Sequence, residues 1–461
     1  MAPENMNNPQ APKKPKFSQH KASTASTNVE ETFELKYGEG IAFRNEHSTL
    51  RLTVKSGCID IFGTEFKESQ FVEFAHPEKS FHVIGLNTHH DGNTLIQIQH
   101  SSQDVISLLN DPSYIAFHQG LIEMFENISK QIEHVRLLVV GPTDSGKSTI
   151  CKILFNHAMF SSSTDLQRIC FFSDIDVGQN QVSLPGTMGL SVASSSGSGS
   201  IDKESSSMET NSNTSEIVYT KELSVSHQAP LELIPHKHVF YFGDISPKNT
   251  IYYNYICQRI YEKYESILQE NERVNKSFLV MNTCGWVEGQ GYSILLKAIK
   301  SCKITHVLSM DEQTFKSLKK DTAESGVEII YKQKSSQVKK RNTNFRKETR
   351  NNSIMSYFSK PLNTLTLSLD DVQMCMLDYK TQTSARALDL SDKSLNRICA
   401  ISTANSVDQV LNQEIFCFIV LEQFNSEKKT VKLLLPASKD KKEIEKLPKP
   451  IFLLSGSVMF K

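Results

Sequence analysis

The stretch Leu137-Leu-Val-Val-Gly-Pro-Thr-Asp-Ser-Gly-Lys-Ser-Thr149 decides the fold of this chain. Its leading apolar run predicts a buried strand, and its remainder matches G-x-x-x-x-G-K-[ST], the pattern of a phosphate-binding loop (P-loop). Ile150, Ile153, Leu154 and Ala158 then recur at helical spacing. A strand precedes the motif and a helix follows it. This context favours a nucleotide-binding P-loop over a chance glycine-rich loop.

The residue types of this loop suit phosphate binding. Gly141 and Gly146 let the backbone turn tightly and point N–H groups inward, and the following helix adds its positive end. Lys147 can reach the β- and γ-phosphates, and the Ser148 hydroxyl can ligate Mg²⁺. The predicted cofactor-binding residues of the loop are Gly141, Asp144, Ser145, Gly146, Lys147, Ser148 and Thr149.

Length and composition bound the class of protein. A chain of 461 residues predicts two or three domains, and 51 basic against 51 acidic residues argue against a global nucleic-acid-binding charge. Nine cysteines without a Cys-x-x-Cys pair argue against a disulfide framework or a zinc site. The N-terminus lacks the apolar core of a signal peptide, and no apolar run is long enough to span a membrane. We expect a soluble, intracellular protein.

Changes in pattern divide the chain into segments. Residues 1–28, rich in Pro, Asn, Lys, Ser and Thr, are predicted to be disordered. Short alternating strands predict a small β-sandwich or barrel at 29–112. Helices alternating with strands at 113–358 predict a parallel sheet covered on both faces, with a flexible Ser-rich insertion at 192–216. Short strands return in a β-rich domain at 359–461.

Two lysine-rich stretches allow more than one interpretation. Lys13, Lys14 and Lys16 beside prolines fit a nuclear import signal or a merely solvated tail. A second basic stretch follows the predicted strand 327–331. Its members are Lys332, Lys334, Lys339, Lys340, Arg341, Arg346, Lys347 and Arg350. It fits a solvated surface, an import signal, or a mobile helix whose arginines close over a triphosphate.

Two aspartates follow the second predicted strand of the core, Ile169–Phe172. Asp174 and Asp176 lie at the C-terminal end of this strand, and we predict that they point to opposite faces. Because strand C-termini form the ligand crevice of an open α/β sheet, one carboxylate could hold Mg²⁺ or accept a proton from a hydroxyl. A turn-forming pair is the alternative. We favour function, and Asp176 over Asp174.

Two further features lie near predicted strand ends. Pro185-Gly-Thr-Met-Gly189 predicts a rigid turn that faces phosphate or substrate, although the motif is weak alone. Trp286, the single tryptophan, lies among glycines just past a strand. By itself it is equally consistent with stacking on a nucleobase and with filling the core.

Several motifs together resemble one family. They are Gly141-Pro-Thr-Asp-Ser-Gly-Lys-Ser-Thr149, Asp174-Ile-Asp-Val-Gly-Gln179, Ser183-Leu-Pro-Gly-Thr-Met-Gly189, Asn282-Thr-Cys-Gly-Trp-Val287, Ile61-Phe-Gly-Thr-Glu65 and Ser356-Tyr-Phe358. The chain resembles the polyribonucleotide 5′-hydroxyl-kinase subunit of the eukaryotic pre-mRNA cleavage and polyadenylation factor, the Clp-type cleavage factor subunit. The resemblance covers nearly the whole chain and is weakest in the Ser-rich insertion and the C-terminal domain.

The resemblance implies an α/β fold: a RecA-like P-loop core with a parallel sheet, flanked by N-terminal and C-terminal β-rich domains. It implies Mg-ATP between the first two domains, with Glu39 and Lys79 contacting the nucleoside. Asp176 corresponds to the family's catalytic aspartate, which binds Mg²⁺ through water or activates the RNA 5′-hydroxyl. Trp286 corresponds to the tryptophan that clasps RNA.

The lid is where the sequence departs from the family. Arg346 and Arg350 match its dense arginine set and join Lys147 and Asp176 as predicted catalytic residues. Positions where arginine is often found hold Lys347, Ser353 and Met355. Since an arginine finger contributes roughly 10³ to 10⁵ in rate, these departures would affect catalysis rather than nucleotide binding.

The sequence fits two functions. The first is an ATP-dependent kinase of RNA 5′-hydroxyl ends within the 3′-end-processing machinery. The alternative is a catalytically silent, ATP-bound scaffold that bridges processing factors. Under both, the resemblance implies a nuclear protein without membrane contact, whose partners are RNA, other cleavage factor subunits and the tRNA-splicing endonuclease.

Overall fold

The molecule is described by a computed structural model. It covers residues 28–36, 38–45, 50–74, 79–86, 93–101, 105–109, 111–160, 168–195, 236–271, 275–358, 362–378, 384–390 and 394–460. The predicted disordered tail with its lysines therefore lies almost wholly outside the described residues, as does the insertion beyond residue 195. The predicted domain boundaries stay predictions.

The N-terminal region is a β-sandwich. Its strands are β1 Asn28–Leu35, β2 Gly40–Asn45, β3 Leu50–Ser56, β4 Cys58–Ile61, β5 Thr64–Lys67, β6 Phe71–Phe74, β7 Lys79–Leu86, β8 Thr94–Ser101 and β9 Val105–Leu109. They form two antiparallel sheets, β1-β8-β3-β6 and β5-β4-β7-β2-β9. In β3, Leu50, Leu52 and Val54 are buried while the residues between them are half-buried. Inward residues of both sheets share one core.

The central region contains a seven-stranded sheet in the order β13-β12-β11-β14-β10-β15-β16. Its elements are α1 Pro112–Gln131, β10 His134–Val140, α2 Lys147–Phe160, β11 Arg168–Asp174, β12 Thr187–Ser195, β13 His236–Tyr241, α3 Thr250–Glu270, β14 Ser277–Asn282, α4 Gln290–Ser301, β15 His306–Ser309, α5 Glu312–Asp321, β16 Glu328–Tyr331 and α6 Thr343–Tyr357. Five strands are parallel, whereas β12 and β13 add an antiparallel edge that the predicted all-parallel sheet lacks.

Both faces of this sheet are covered, as its apolar runs require. Leu137 and Val139 of β10 point toward α1 and α2, and Leu138 and Val140 point toward α3 and α4. The P-loop begins where β10 ends, at the carboxyl edge of the sheet. Loops from neighbouring strands can meet at this edge.

One prediction near this edge is wrong in detail. Residues 192–195, assigned to the Ser-rich insertion, continue strand β12 and pair with β11. The prediction that the turn at 185–189 faces phosphate or substrate stays a prediction. The Gly186 N–H donates to the carbonyl of Val177 at 2.8 Å, its carbonyl accepts the N–H of Phe242, and a Cβ added there would lie 3.1 Å from Val458 of the C-terminal region.

The C-terminal region is one seven-stranded sheet in the order β17-β22-β21-β20-β23-β18-β19. Its elements are β17 Asn363–Ser368, β18 Val372–Leu377, β19 Ala385–Leu388, β20 Arg397–Ser402, β21 Ile415–Asn425, β22 Thr430–Leu435, α7 Lys441–Glu445 and β23 Ile451–Met459. One face shares a core with α3 and the end of α6. Tyr357 of α6, for example, packs edge-on against Phe418 and accepts its N–H at 3.1 Å.

The N-terminal sandwich rests on α1 and α2 through the turn between β4 and β5. Asn156 donates a hydrogen bond to the carbonyl of Phe62 at 2.9 Å, and His118 lies 3.1 Å from the buried carboxylate of Asp60. Gly63 has φ +80°, and a Cβ there would lie 2.2 Å from the carbonyl oxygen of Ile153. This contact explains why glycine occupies that position.

Replacing Gly63 with Ala is expected to destabilise the protein. The left-handed backbone costs about 1–2 kcal/mol, and the clash with α2 should add about 1–3 kcal/mol. The control is Gly326→Ala, because Gly326 has φ +72° but open space around its Cβ position. Denaturant unfolding of both variants gives the loss in free energy of unfolding and separates the backbone cost from the clash. Equal losses in the two variants would contradict the close approach of Gly63 to α2.

None of the helices in the described part of the chain combines the length and apolarity needed to cross a membrane.

Candidate functional site

The P-loop lies between β10 and α2. Three of its residues have positive φ: Gly141 at 155°, Asp144 at 58° and Gly146 at 89°. Glycine tolerates such angles, and aspartate is among the few other residues that adopt the left-handed region readily. The glycines of the motif therefore lie where the backbone needs them.

Lys147 begins α2 and turns back over the loop. Its side chain is 7% exposed, and its ammonium group donates to the carbonyls of Gly141 and Pro142 at 2.9 and 2.8 Å. Burial lowers the pKa of Lys147, while the negative charge of Asp176 opposes that shift. The amine is thus at the loop, held by carbonyls that it can exchange for phosphate oxygens.

Ser148 is linked to the neighbouring strands through Asn282, the last residue of β14. The Asn282 side-chain amide donates to Ser148 Oγ at 3.3 Å and to Asp174 Oδ1 at 3.0 Å. Within the described residues, Asn282 Oδ1 and Ser145 Oγ are buried without a hydrogen-bond partner. Buried polar atoms are normally satisfied, so their lack of partners fits a site that takes phosphate and a hydrated cation.

The prediction that Asp174 and Asp176 point to opposite faces is wrong, because residues two apart in a strand share a face and Asp176 does not continue the strand. β11 ends at Asp174, and Asp176 belongs to a loop that folds back. The N–H groups of Asp176 and Gln181 donate to the Asp174 carboxylate at 2.9 Å each. Asp176 in turn accepts the N–H groups of Gly178 at 2.9 Å and Gln179 at 3.2 Å.

The two carboxylates differ in their surroundings. Burial raises the pKa of Asp174 well above its usual value, and the charge of Asp176 adds to that effect. Burial also raises the pKa of Asp176, but the N–H donors and the charges of Lys147 and Arg346 oppose it. Asp176 therefore faces the cations of the site. A raised pKa brings a carboxylate closer to the range in which it serves as a general base.

Helix α6, here called the lid helix, brings arginines to the P-loop. Arg346 forms an ion pair with Asp144 at 2.8 Å, and its carbonyl accepts a hydrogen bond from Gln179 at 3.2 Å. The Arg341 N–H also donates to Asp144 at 3.1 Å. Burial alone would raise the pKa of Asp144, but the hydrogen bonds and charges of Arg341 and Arg346 outweigh it and lower that pKa.

Arg350 lies one turn further along the lid helix. Burial and then the charge of Arg346 lower the pKa of Arg350, while the charge of Asp176 raises it. Arg350 is therefore close to both groups. The structure brings together the predicted residues Lys147, Asp176, Arg346 and Arg350.

The lid positions that depart from the family differ in orientation. Ser353 is half-buried and follows Arg346 and Arg350 on one helical stripe, at i+7 and i+3. Lys347 is exposed, and Met355 is 50% exposed. Of the three departures, Ser353 alone lies on the stripe that faces the site.

Trp286 lies on the loop after β14. A Cβ added at Gly291 would lie 2.4 Å from Trp286 Cγ, and the ring is partly buried against the central core. A Cβ added at Gly285 would lie 2.5 Å from the backbone nitrogen of Thr143. The loop that carries Trp286 therefore rests directly on the P-loop.

The predicted nucleoside contacts Glu39 and Lys79 belong to the N-terminal sandwich, and their role stays a prediction. Glu39 is exposed in the turn between β1 and β2, and its carboxylate accepts the N–H of Lys36 at 3.0 Å. Among the described residues, no hydrogen bond or ion pair joins it to the P-loop. Lys79 begins β7, but its side chain lies outside the described residues.

Sequence reasoning missed two residues of the site. Asn282 connects the predicted metal-binding serine with Asp174, and Gly285 permits the loop contact just described. The available signal for Asn282 was its position, since a polar residue that ends a buried parallel strand lies at the ligand edge. Among the described residues, no group of three or more His, Cys, Asp or Glu could form a self-contained metal site.

Comparison with known proteins identifies the family. Residues 141–360 match the family model described as mRNA cleavage and polyadenylation factor CLP1 P-loop. The polyribonucleotide 5′-hydroxyl-kinase Clp1 of Homo sapiens is 32% identical over 332 residues, which cover 71% of this chain and 68% of that protein. This chain belongs to the Clp1 family. The resemblance stated from the sequence motifs is confirmed.

Other Clp1 proteins match over a longer span. The Clp1 homolog of Aedes aegypti is 27% identical over 460 residues, or 92% of this chain and 96% of that protein. The solved Clp1p–Pcf11p complex contains a chain with TM-score 0.70 and 16% identity, covering 94% of this chain and 99% of that one. The predicted fold class, an α/β P-loop core flanked by two β-rich regions, is confirmed.

Proposed function

We propose that this Clp1-family protein uses Mg-ATP to phosphorylate the 5′-hydroxyl of RNA, as a subunit of the pre-mRNA cleavage and polyadenylation machinery. The convergence of Lys147, Asp176, Arg346 and Arg350 on one P-loop is the observation that carries the proposal. The family's curated members supply the substrate, since several are named polyribonucleotide 5′-hydroxyl-kinase.

Bound ATP would supply the γ-phosphoryl group, and Mg²⁺ would neutralise charge on its oxygens. The backbone of Gly141, Asp144, Ser145 and Gly146 would surround the phosphates, with Thr149 at the helix end. Ser148 would hold the cation directly. Asn282 would position Ser148, since it already donates to its hydroxyl.

Lys147 would leave its two carbonyl partners and bind the β- and γ-phosphates. Asp176 would accept the proton of the RNA 5′-hydroxyl as its oxygen bonds to the γ-phosphorus and the bond from that phosphorus to ADP breaks, or would contact Mg²⁺ through water. Arg346 and Arg350 would neutralise charge on the transferred group. Trp286 would stack on the terminal base, and Glu39 and Lys79 would contact the nucleoside.

Ser353 offers a test that depends on the lid geometry. Ser353→Arg is expected to raise the rate of transfer by about tenfold, because one added charge-assisted contact contributes about 1.5 kcal/mol or more. Lys347→Arg and Met355→Arg are the matched controls, because both positions face solvent. Initial rates of phosphoryl transfer measure all three. An equal gain in transfer rate from Met355→Arg would contradict the assignment of Ser353, and not Met355, to the face of the lid helix that lies toward the site.

The proposed reaction is tested with two RNAs that differ only at the 5′ end. With γ-labelled ATP, label should enter the RNA with a 5′-hydroxyl and not the one that already carries a 5′-phosphate. Label on neither RNA would contradict the kinase. Label on both would mean that the acceptor is another hydroxyl.

A second candidate is an ATP-bound scaffold, and Ser353 on the inner stripe of the lid favours it. Nucleotide at 100 times its Kd would add about 2.7 kcal/mol of stability without chemistry. The solved complex of a relative with Pcf11p supports a role in binding other cleavage factor subunits. The proposal also includes a nuclear location and the tRNA-splicing endonuclease as a partner, and both rest on the resemblance of the sequence motifs to the family.

A further inference from the structure

One segment of this chain carries a local excess of positive charge. Residues 332–350 hold eight basic residues and a single acidic one, Glu348, although the whole chain has equal numbers of both. Three of these basic residues already have contacts within the protein. Arg346 and Arg350 face the P-loop, and Lys332 lies 5.8 Å from the ring of Phe117 on α1.

The remaining basic residues of the segment face solvent. Lys334, Lys339, Lys340, Arg341 and Lys347 are exposed, and none forms an ion pair with another described residue. Unpaired cations held close together repel one another, so their clustering is more consistent with an anionic partner than with a stabilising role.

An aromatic side chain lies among these charges. Phe345 is 45% exposed, and the guanidinium of Arg341 lies 5.4 Å from the centre of its ring. An exposed ring beside exposed cations is the combination with which proteins hold single-stranded nucleic acid: bases stack on the ring and phosphates pair with the cations. Lys339, Lys340, Arg341 and Phe345 are here called the outer strap surface.

The outer strap surface is fixed at the entrance of the site. Residues 332–342, which connect β16 to the lid helix, are fastened at Asp111, whose carboxylate accepts from Ser336 at 2.6 Å and Gln337 at 2.7 Å. A Cβ added at Gly146 would lie 3.1 Å from Val338. The cations at 339–341 therefore follow directly after a residue that touches the P-loop.

We propose that the outer strap surface binds the RNA strand 3′ of the nucleotide that receives the phosphate. Lys339, Lys340 and Arg341 pair with consecutive phosphates, and Phe345 stacks on one base. This inference rests on the proposed function, because it assumes that RNA is the acceptor. It adds a substrate preference: RNAs long enough to reach from the P-loop to the strap bind better than dinucleotides.

Direct binding tests this inference without requiring turnover. Fluorescence anisotropy is measured for a 3′-labelled 5′-hydroxyl RNA of about 12 nucleotides and for a dinucleotide, with a non-hydrolysable ATP analogue present. The paired variant Lys339→Ala/Lys340→Ala should bind the longer RNA more weakly. Its slope of log affinity against log salt should fall by about 1.4, or about 0.7 for each lost phosphate contact. Binding of the dinucleotide should not change.

Phe345 is tested separately from charge. Phe345→Ala should weaken binding of the longer RNA about tenfold with an unchanged salt slope, and Phe345→Trp should restore it. Lys441→Ala/Lys442→Ala is the control, because it removes the same charge from an exposed pair in the C-terminal region. Thermal melts and ATP affinity confirm that the P-loop and lid are intact.

Each outcome decides between the alternatives. Unchanged RNA affinity and salt slope in the Lys339→Ala/Lys340→Ala variant would mean that these lysines are only solvated and do not contact RNA. That result would overturn the inference. Weaker ATP binding with unchanged RNA binding would assign these lysines to the nucleotide and would also overturn it. If strap variants weaken RNA binding while wild type transfers no phosphate, the kinase proposal fails and the RNA-binding surface stands.

Discussion

Replacing Arg346 with Ala is expected to lower the rate of phosphoryl transfer by roughly 10³- to 10⁵-fold, the range for an arginine that stabilises charge on a transferred phosphoryl group. Arg346 reaches the P-loop from the lid helix and pairs with Asp144 at 2.8 Å. Its loss removes both the cation and the contact that closes the lid on the loop. Single-turnover transfer with saturating ATP and RNA measures this effect.

The neighbouring residue provides the control for Arg346. Lys347 carries the same charge on the same helix but is exposed, so Lys347→Ala should change the single-turnover rate only slightly. Comparable losses in both variants would mean that the general charge of the lid matters rather than the placement of Arg346. A loss below tenfold for Arg346→Ala would assign the main role to Arg350.

Replacing Asp176 with Asn is expected to lower transfer by roughly 10²- to 10⁴-fold, the contribution of a positioned general base. Asn keeps the shape and can still accept the N–H groups of Gly178 and Gln179, which donate to Asp176 Oδ1. ATP affinity should therefore stay within a few fold of wild type. A parallel loss of ATP binding and transfer would instead identify Asp176 mainly as a contact of the metal–nucleotide complex.

The pH profile gives a second test of Asp176. A base must be deprotonated, and burial raises the pKa of this carboxyl above its usual value of 3.8. The single-turnover rate should therefore begin to fall at a higher pH, on acidification, than an exposed aspartate would give. The same limb should vanish in Asp176→Asn and persist in Asp408→Asn, an exposed acid of the C-terminal region.

Much of the fold could be predicted from the sequence because its signals are local. The P-loop was identified by glycine spacing together with the strand and helix around it, and short alternating strands identified both β-rich regions. The antiparallel placement of β12 and β13 could not be identified so easily. They flank the Ser-rich segment, and the pairing of β12 with its neighbours joins residues distant in sequence.

The site was less predictable, because it depends on where a strand ends. Because β11 ends at Asp174, Asp176 leaves the strand and folds back toward Lys147. Asn282 and Gly285 act through contacts with Ser148 and Thr143, more than 130 residues away in sequence. Similarly, only the orientation of the lid helix shows that Ser353 faces the site whereas Met355 faces solvent.

The most direct test of the central claim is transfer of labelled γ-phosphate from ATP to a short 5′-hydroxyl RNA, measured alongside ATP binding. Wild type should transfer label, and both Lys147→Ala and Asp176→Asn should abolish nearly all of it, with ATP binding retained in the Asp176 variant. Tight ATP binding by wild type without transfer would contradict the kinase and leave the nucleotide as a structural ligand of an assembly subunit.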